Sequence, residues 1–231
     1  MSLVPNSIPT NVSDNARLPI NWSGVFKLNT ECLRLSSGGG IRECFQSTVV
    51  LLVGRRPHLR FFVSTNPNVP TLEANQSYRL VGEMLGRSNR HDTVLSPLAG
   101  GVIRLEEYEA QLPQPLPVIT VASRGHIMRC VRRRVVGQDY ERWVITAMHN
   151  GWDDSLGSVA HFLVLYEASL KLFNSIGVNN LSTGNIVNFS GVVINYSPVG
   201  RAWVVELRAV DHIVTARPDV SAWKRRASAS T

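Results

Sequence analysis

The sequence predicts an all-β protein with one short helix, built as two five-stranded units in tandem. Short segments rich in β-branched and aromatic residues recur along the 231 residues, separated by turn-forming residues, as is typical of barrels and sandwiches. Residues 111–117 (Gln-Leu-Pro-Gln-Pro-Leu-Pro) cannot join the interior of a sheet, because proline lacks the donor that a ladder needs. They divide the predicted strands into two groups of five. A single larger β-sandwich is the alternative.

The predicted strands leave a polar segment at each end of the chain. In the first unit we expect strands over residues 22–28, 45–53, 59–64, 78–85 and 102–108. In the second unit we expect them over residues 118–134, 143–148, 160–165, 186–194 and 202–213. The predicted organisation is a flexible arm (1–17), a first β-domain (18–110), a Pro-rich linker (111–117), a second β-domain (118–216) and a basic tail (217–231).

One helix is predicted, over residues 166–176, between the third and fourth strands of the second unit. Its apolar side chains fall on one face, as in an amphipathic helix. They are Ala168, Leu172, Phe173 and Ile176. Glu167 and Lys171 are spaced to form an ion pair along the helix. Gly177 follows at the position where many helices end on glycine.

The two units resemble each other in sequence as well as in strand order, which favours an internal duplication. Residues 72–82 (Leu-Glu-Ala-Asn-Gln-Ser-Tyr-Arg-Leu-Val-Gly) correspond to residues 181–191, which also begin with Leu and end with Gly. Residues 45–54 correspond to residues 143–151. A glycine in the fourth strand suits a small barrel, because it tolerates the bulge that bends a strand sharply enough to close the ring.

The charge of the chain points to a polyanionic ligand. Lys and Arg together number 24 against 17 acidic residues, which gives a formal net charge of +7. Only three of the basic residues are Lys, so the excess consists of Arg. The planar guanidinium group grips phosphate through paired hydrogen bonds and also stacks on flat rings. Codon usage in a GC-rich genome would explain the preference for Arg over Lys, but it does not explain the net positive charge.

The cysteines and the hydropathy pattern predict an intracellular protein that crosses no membrane. Cys32, Cys44 and Cys130 match no zinc-ligand spacing and give no even-numbered disulfide framework, so we expect reduced thiols. Residues 1–17 lack the basic start and apolar stretch of a secretory signal. The longest apolar run, residues 49–53, is too short to span a bilayer. Nucleus and cytoplasm are both compatible with this pattern.

The sequence carries no recognisable catalytic motif, and it predicts a binding protein that uses no cofactor and no metal. It has no phosphate-binding Gly-rich loop, no dinucleotide fingerprint and no nucleophile elbow. His149 is followed closely by Asp153 and Asp154, but no second His or Cys stands at ligand spacing. We therefore expect no enzymatic activity.

The second unit runs from a hydrophobic strand into a helix, a Gly-containing loop, a strand with a glycine and a final alternating strand. The segments are residues 161–166 (His-Phe-Leu-Val-Leu-Tyr), 167–177, 181–184 (Leu-Ser-Thr-Gly), 186–191 (Ile-Val-Asn-Phe-Ser-Gly) and 203–210 (Trp-Val-Val-Glu-Leu-Arg-Ala-Val). This order resembles the oligonucleotide-binding (OB) fold. It is similar to the C-terminal half of bacterial and mitochondrial single-stranded DNA-binding proteins. The basic tail differs from the acidic, partner-docking tail of the bacterial proteins.

The resemblance implies tandem OB-fold-like five-stranded Greek-key barrels that bind single-stranded nucleic acid, DNA rather than RNA, with little sequence preference. Such binding needs a positive groove along the backbone and flat side chains on which bases stack. In OB folds the ligand lies on the face of strands two and three, beside the loops that join strands one to two and four to five. Exposed strand edges of such barrels would also allow a homo-oligomer.

Arginine and aromatic residues near these positions are the candidate ligand contacts. Alternation along the third strand places Arg60 and Phe62 together on the solvent side. Further candidates in the first unit, in basic inter-strand loops, are Arg34, Arg42, Arg87 and Arg90. Those in the second unit are Arg129, Arg132, Arg133, Arg134, Trp152, Tyr196 and Arg201. Three consecutive arginines put charge on both sides of a strand, so we expect the strand to leave the barrel there.

Each assignment has an alternative. Phe62 would equally pack under a loop, and the arginine cluster would equally form a solvated surface. For the whole protein, a polar arm and a basic tail around a β-core also fit a viral coat or movement-type structural β-barrel protein. A third hypothesis is a β-barrel protein-interaction module. Large closed particles in light scattering would favour the coat protein, and a lack of nucleic-acid affinity near physiological salt would favour the module.

Overall fold

The computed structural model describes residues 17–35, 41–50, 58–65, 68–86, 93–106, 118–134 and 141–215. Within these ranges it contains ten strands and one α-helix, which confirms the all-β prediction. The first group of strands is β1 (Ile20–Leu35), β2 (Ile41–Val50), β3 (His58–Ser64), β4 (Ser77–Leu85) and β5 (Val94–Arg104). The second group is β6 (Thr120–Arg134), β7 (Glu141–Asp153), β8 (Ser158–Ser169), β9 (Ile186–Ser197) and β10 (Ala202–Val214). The helix α1 (Leu170–Ile176) and a 3-10 turn (Val178–Leu181) lie between β8 and β9.

Each group of five strands closes into a barrel, and both barrels use the same pairing order. In the first, β1 pairs with β2, β2 with β3, β3 with β5, β5 with β4, and β4 pairs back onto β1. Strands β6 to β10 repeat this order in the second. In each barrel the third strand runs parallel to the fifth, and the other described pairings are antiparallel. The predicted tandem of five-stranded Greek-key barrels is confirmed, and the single β-sandwich is wrong.

An approximate two-fold axis relates the barrels and passes between their first strands. β1 and β6 run antiparallel, with Trp22 opposite Val121. These two residues occupy equivalent positions, because each also lies opposite the glycine of its own fourth strand, Gly82 or Gly191. The axis therefore passes through the Trp22–Val121 pair. Positions in the ladders of one barrel accordingly have counterparts in the other.

The two fourth-strand glycines bear out the match of residues 72–82 with residues 181–191. A Cβ atom on Gly82 would lie 2.4 Å from the Ser96 carbonyl oxygen. One on Gly191 would lie 2.3 Å from the Glu206 carbonyl oxygen. The register with the fifth strand shifts beside each glycine, as a bulge requires. The absence of a side chain is thus what lets the two backbones approach at these points.

The predicted match between residues 45–54 and 143–151 is wrong by two positions. β1 and β6 each contain a bulge at the equivalent place, and the first row beyond it contains Gln46 in β2 and Thr146 in β7. Counting from this row makes Phe45 the counterpart of Ile145, and both are buried. The sequence comparison aligned Phe45 with Trp143 because both are aromatic, although the Trp143 ring stacks on α1.

The helix begins later than predicted, because residues 166–169 belong to β8. Tyr166 and Ala168 are fully buried, and Tyr166 is paired in the ladders with both β7 and β10. At the true start, the Ser169 hydroxyl accepts a hydrogen bond of 3.2 Å from the Leu172 N–H. Burial in the sheet therefore overrides the helical pattern over these four residues.

The late start of α1 also changes the predicted ion pair. Glu167 lies in β8 and pairs with Arg142 of β7 at 3.0 Å rather than with Lys171. The predicted end of the helix is confirmed, since Gly177 has a φ of 89° and its N–H donates to the Phe173 carbonyl. None of the helices in the described ranges is long and apolar enough to cross a membrane.

The fifth strand begins at Val94, well before the predicted range of 102–108. Its middle, residues 98–101 (Leu-Ala-Gly-Gly), bulges out between the pair Gly82–Pro97 and the pair Leu80–Val102. The bulge interrupts the alternation of buried and exposed residues, so the sequence pattern indicates only the last three residues of the strand, 102–104.

Cys32 and Cys44 form a disulfide bond, so the expectation of reduced thiols is wrong for these two residues. They lie directly opposite each other in the β1–β2 ladder, with Cα atoms 5.2 Å apart, a separation that suits a disulfide. The sequence gives no sign of this pairing because the hairpin register creates it. Cys130 is a free thiol, and burial raises its pKa to about 11.

The two barrels share a continuous core at the β1–β6 junction. The indole rings of Trp22 and Trp203 meet edge to face, with centroids 4.8 Å apart. The Trp203 Nε1–H donates a buried hydrogen bond of 2.8 Å to the Thr93 hydroxyl in the other barrel. The predicted linker and tail, and the arm except for Arg17, lie outside the described residues. The proposed domain boundaries therefore stay a prediction.

Candidate nucleic-acid interface

The outer side of β3 carries an arginine next to a phenylalanine, at the positions that alternation predicts. Phe61 and Val63, which alternate with them in β3, are fully buried, whereas Arg60 is exposed. Phe62 is partly exposed and also packs against the core. In the ladder with β2, Arg60 lies opposite Thr48 and Phe62 lies opposite Gln46. We call these four residues, Gln46, Thr48, Arg60 and Phe62, the first face.

The equivalent outer side of the second barrel is formed by β6, β7 and β8. Arg129 lies opposite Thr146, which in turn lies opposite Leu165. Arg129 is exposed and the other two are partly exposed. Arg133 on β6 and Leu163 on β8 extend this surface in the two directions along the strands. We call these five residues, Arg129, Arg133, Thr146, Leu163 and Leu165, the second face.

Alternation along β6, beyond its bulge, divides the arginine cluster between the two sides of the ladder. Beyond the bulge, Arg129 and Arg133 lie on the side of the second face, whereas Arg132 and Arg134 lie on the side of Trp143. The ladder of β6 with β9, which closes the barrel, ends at His126, but β6 stays paired with β7 as far as Arg134, so the cluster lies on a paired strand rather than in a loop. All four arginines remain exposed, because this part of β6 has β7 as its only neighbour among the described strands.

Ion pairs separate the arginines that are neutralised from those that can contact a ligand. Arg132 pairs with Glu141. Within the described parts of the chain, by contrast, Arg60, Arg129 and Arg133 have no ion-pair partner. An exposed guanidinium without a carboxylate partner keeps its fork of donors for phosphate oxygens. Both faces therefore offer unneutralised positive charge.

Trp152 stands at the tip of the β7–β8 hairpin, where it is 60% exposed. Val159 lies opposite it and is 47% exposed. Asp153 holds the turn, since its Oδ1 accepts hydrogen bonds from the Ser155 N–H (2.9 Å) and the Ser155 hydroxyl (2.6 Å). Trp152 lies on the same side of β7 as the second face. The position of the Trp152 ring suits the stacking of a base at one end of that face, and this role stays a prediction.

Tyr196 and Arg201 flank the β9–β10 turn as expected, but they differ in accessibility. Tyr196 is partly buried, and its ring meets Trp203 edge to face with centroids 5.1 Å apart. Arg201 is exposed in the turn, with a φ of 47°. The loop between strands four and five borders the ligand groove of OB folds. Arg201 is thus the better placed of the two candidates.

For the other four candidate residues of the first barrel, the structure gives a position in a ladder for two and none for the other two. Arg34 and Arg42 lie opposite each other in the β1–β2 ladder rather than in the predicted loop, because both strands extend past the Cys32–Cys44 disulfide. Arg87 and Arg90 lie outside the described residues. Ligand contact by these residues, as by all the other candidates, stays a prediction.

His149, the one residue with a weak catalytic signal, belongs to a buried hydrogen-bonded chain. Its Nδ1 lies 2.9 Å from the Arg124 carbonyl oxygen, to which it donates, so the neutral ring accepts at Nε2 from the Tyr166 hydroxyl, 2.9 Å away. The Tyr166 hydroxyl lies 2.8 Å from that of Ser123. Burial lowers the pKa of His149 to about 4 and raises the pKa of Tyr166. Across the described ranges, no group of three or more His, Cys, Asp and Glu residues could hold a metal ion.

Among solved structures, the chain is similar to the single-stranded DNA-binding protein from Thermus aquaticus. The wild-type crystal structure superimposes with a TM-score of 0.52 at 13% sequence identity, over 89% of this chain and 98% of that chain. A deletion mutant of that protein superimposes with a TM-score of 0.49 at 12% identity, over 88% of this chain and 97% of that chain. No family model and no curated protein sequence matches the chain. The wild-type comparison establishes the fold as a tandem OB fold over most of the chain.

Three residues of the second face are not among the candidate ligand contacts predicted from the sequence. The sequence places Thr146, Leu163 and Leu165 in strands, but nothing in their side chains indicates a ligand. Their position beside Arg129 follows from the register beyond the β6 bulge. Alternation counted from a known bulge would have found them, but the sequence does not show where the bulge lies.

Proposed function

We propose that this protein binds single-stranded DNA, with little sequence preference, on the outer faces of its two OB barrels. The observation that carries the proposal is an exposed arginine on each face, Arg60 and Arg129, for which the described residues offer no acidic partner. Single strands bind where guanidinium groups meet phosphates beside surfaces that accept bases. The Thermus aquaticus protein of the same fold, described as a single-stranded DNA-binding protein, supports the assignment.

Binding is measured by fluorescence anisotropy of a labelled DNA strand of about 30 nucleotides, roughly two OB-fold footprints. The duplex and the RNA of the same sequence serve as competitors across a salt series. We expect tight binding of the single strand, poor competition by the duplex and weaker competition by RNA than by unlabelled DNA. An absence of binding at low salt would overturn the proposal, and equal competition by RNA would remove the preference for DNA.

The division of the arginine cluster supplies a matched pair of variants. R129Q/R133Q removes two charges from the second face, and R132Q/R134Q removes two charges from the other side of the same ladder. The first variant should weaken binding and lower the slope of log affinity against log salt by about 1.4, at about 0.7 for each lost phosphate contact on a single strand. The second should leave the slope near that of the unmodified protein. Equal effects would mean that net charge alone attracts DNA, which contradicts the assignment of the second face.

A further inference from the structure

In the two rows nearest the bulge, equivalent positions on the two faces carry different side chains, whereas further along the first strand both barrels carry an arginine, Arg34 and Arg133. The first row beyond the bulge is Thr30–Gln46–Phe62 in the first barrel and Arg129–Thr146–Leu165 in the second. One pair further along the third strand, Arg60 lies opposite Thr48 and its counterpart Leu163 lies opposite Met148. The two-fold axis therefore relates Phe62 to Leu165 and Arg60 to Leu163.

Beside the bulge, the exposed arginine also stands on a different strand in each barrel. In the first barrel Arg60 stands on the third strand, beside Phe62. In the second barrel Arg129 stands on the first strand, and the third-strand positions are aliphatic. Trp152 lies six residues along β7 from Thr146, about 20 Å away at the usual rise of a strand. The centre of the second face therefore has no Phe, Tyr or Trp ring among the described residues.

We propose that the two barrels are non-equivalent binding sites. The first barrel stacks bases on Phe62, and the second holds the sugar–phosphate backbone through Arg129 and Arg133 over an aliphatic floor. This inference rests on the proposed function, and it assigns base stacking at the centre of the two faces to the first barrel.

The chemistry of the two side chains explains why this difference matters. Leucine and phenylalanine both provide apolar area, but only the aromatic ring has a flat face that covers a base. A contact between arginine and phosphate is the same whether or not the nucleotide carries a base. A strand without bases therefore keeps the contacts of the second face and loses stacking on the first.

The equivalence of Phe62 and Leu165 supplies reciprocal substitutions. F62L gives the first face the residue of the second, and L165F gives the second face the ring of the first. Both keep a large apolar side chain, so the partly buried contacts persist, and thermal unfolding verifies that each variant is folded. The probes are a thymidine strand of about 30 nucleotides and an abasic strand with the same number of phosphates.

We expect F62L to lower affinity for the thymidine strand about tenfold, as loss of one stacked base predicts, and to leave affinity for the abasic strand unchanged. L165F added to F62L should recover the difference between the two strands. Equal effects of F62L on both strands, no effect on either, or no recovery by L165F would overturn the inference. In each of these results the unmodified protein still binds DNA; failure of the unmodified protein to bind either strand would instead overturn the proposed function.

Discussion

The buried His149 makes the stability of the fold depend on pH. Its ring donates from Nδ1 to the Arg124 carbonyl and accepts at Nε2 from Tyr166, so both nitrogens of the neutral ring are hydrogen-bonded inside the core. Burial lowers its pKa from 6.5 to about 4. Below pH 6.5 the unfolded chain therefore binds a proton that the folded chain excludes. This stabilisation is complete above pH 6.5 and is lost as the pH falls through about 4.

We predict that the free energy of unfolding falls by about 3 kcal/mol between neutral pH and pH 4, as urea titrations at several pH values would measure. In H149Q this pH dependence should shrink, because the amide hydrogen-bonds without titrating. His126, whose pKa burial also lowers, would supply part of what remains. A pH dependence in H149Q as steep as in the unmodified protein would contradict the assignment to His149.

Among the elements, the β1–β2 hairpin is closed by a covalent bond and its counterpart in the second barrel is not. Cys32 pairs with Cys44, and the equivalent positions of the β6–β7 hairpin hold Val131 and Val144. Since the second hairpin has the same register without a disulfide, the first should keep its register when the disulfide is reduced. The bond then acts mainly by restricting the unfolded chain.

Reduction of the disulfide should lower the free energy of unfolding by about 3 kcal/mol, the entropy of closing a loop of this length. Urea unfolding with and without reductant measures the change. The C32S/C44S variant should match the reduced protein and should not respond to reductant. Equal stability of the oxidised and reduced protein would mean that the bond does not constrain the unfolded chain.

The elements also show which features of the fold a local sequence pattern can predict. Strand number, strand order and the end of the helix at Gly177 follow from alternation, Pro-rich breaks and a capping glycine, and the structure bears them out. Register and bulges depend on contacts between strands, which no local pattern contains. For this reason the Cys32–Cys44 pair and the position of Thr146 and Leu165 beside Arg129 could not be predicted. The residue types of the candidate site were visible in the sequence, but their arrangement was not.

At the scale of the whole molecule, the junction between the barrels makes them one packing unit. Residues 20–23 of β1 pair with residues 120–123 of β6. Behind this ladder, Trp22 and Trp203 pack together, and Trp203 is hydrogen-bonded to Thr93. Neither barrel can unfold without exposing one of these indole rings. We therefore expect the junction to hold the two faces relative to each other and to couple the unfolding of the two barrels.

T93V tests this coupling, because it leaves the Trp203 Nε1–H buried without its acceptor. We expect a loss of about 1–3 kcal/mol in the free energy of unfolding.

The matched control is T120V, which removes an exposed hydroxyl bonded to the Ser23 carbonyl across the same junction, and it should change the free energy of unfolding little. Circular dichroism reports both barrels, and tryptophan fluorescence includes the signal of the two junction indoles, Trp22 and Trp203. With coupled barrels, T93V shifts both transitions together as one step. Two separate steps, with only one moved by T93V, would mean that the barrels unfold independently and that the junction does not hold the faces in register.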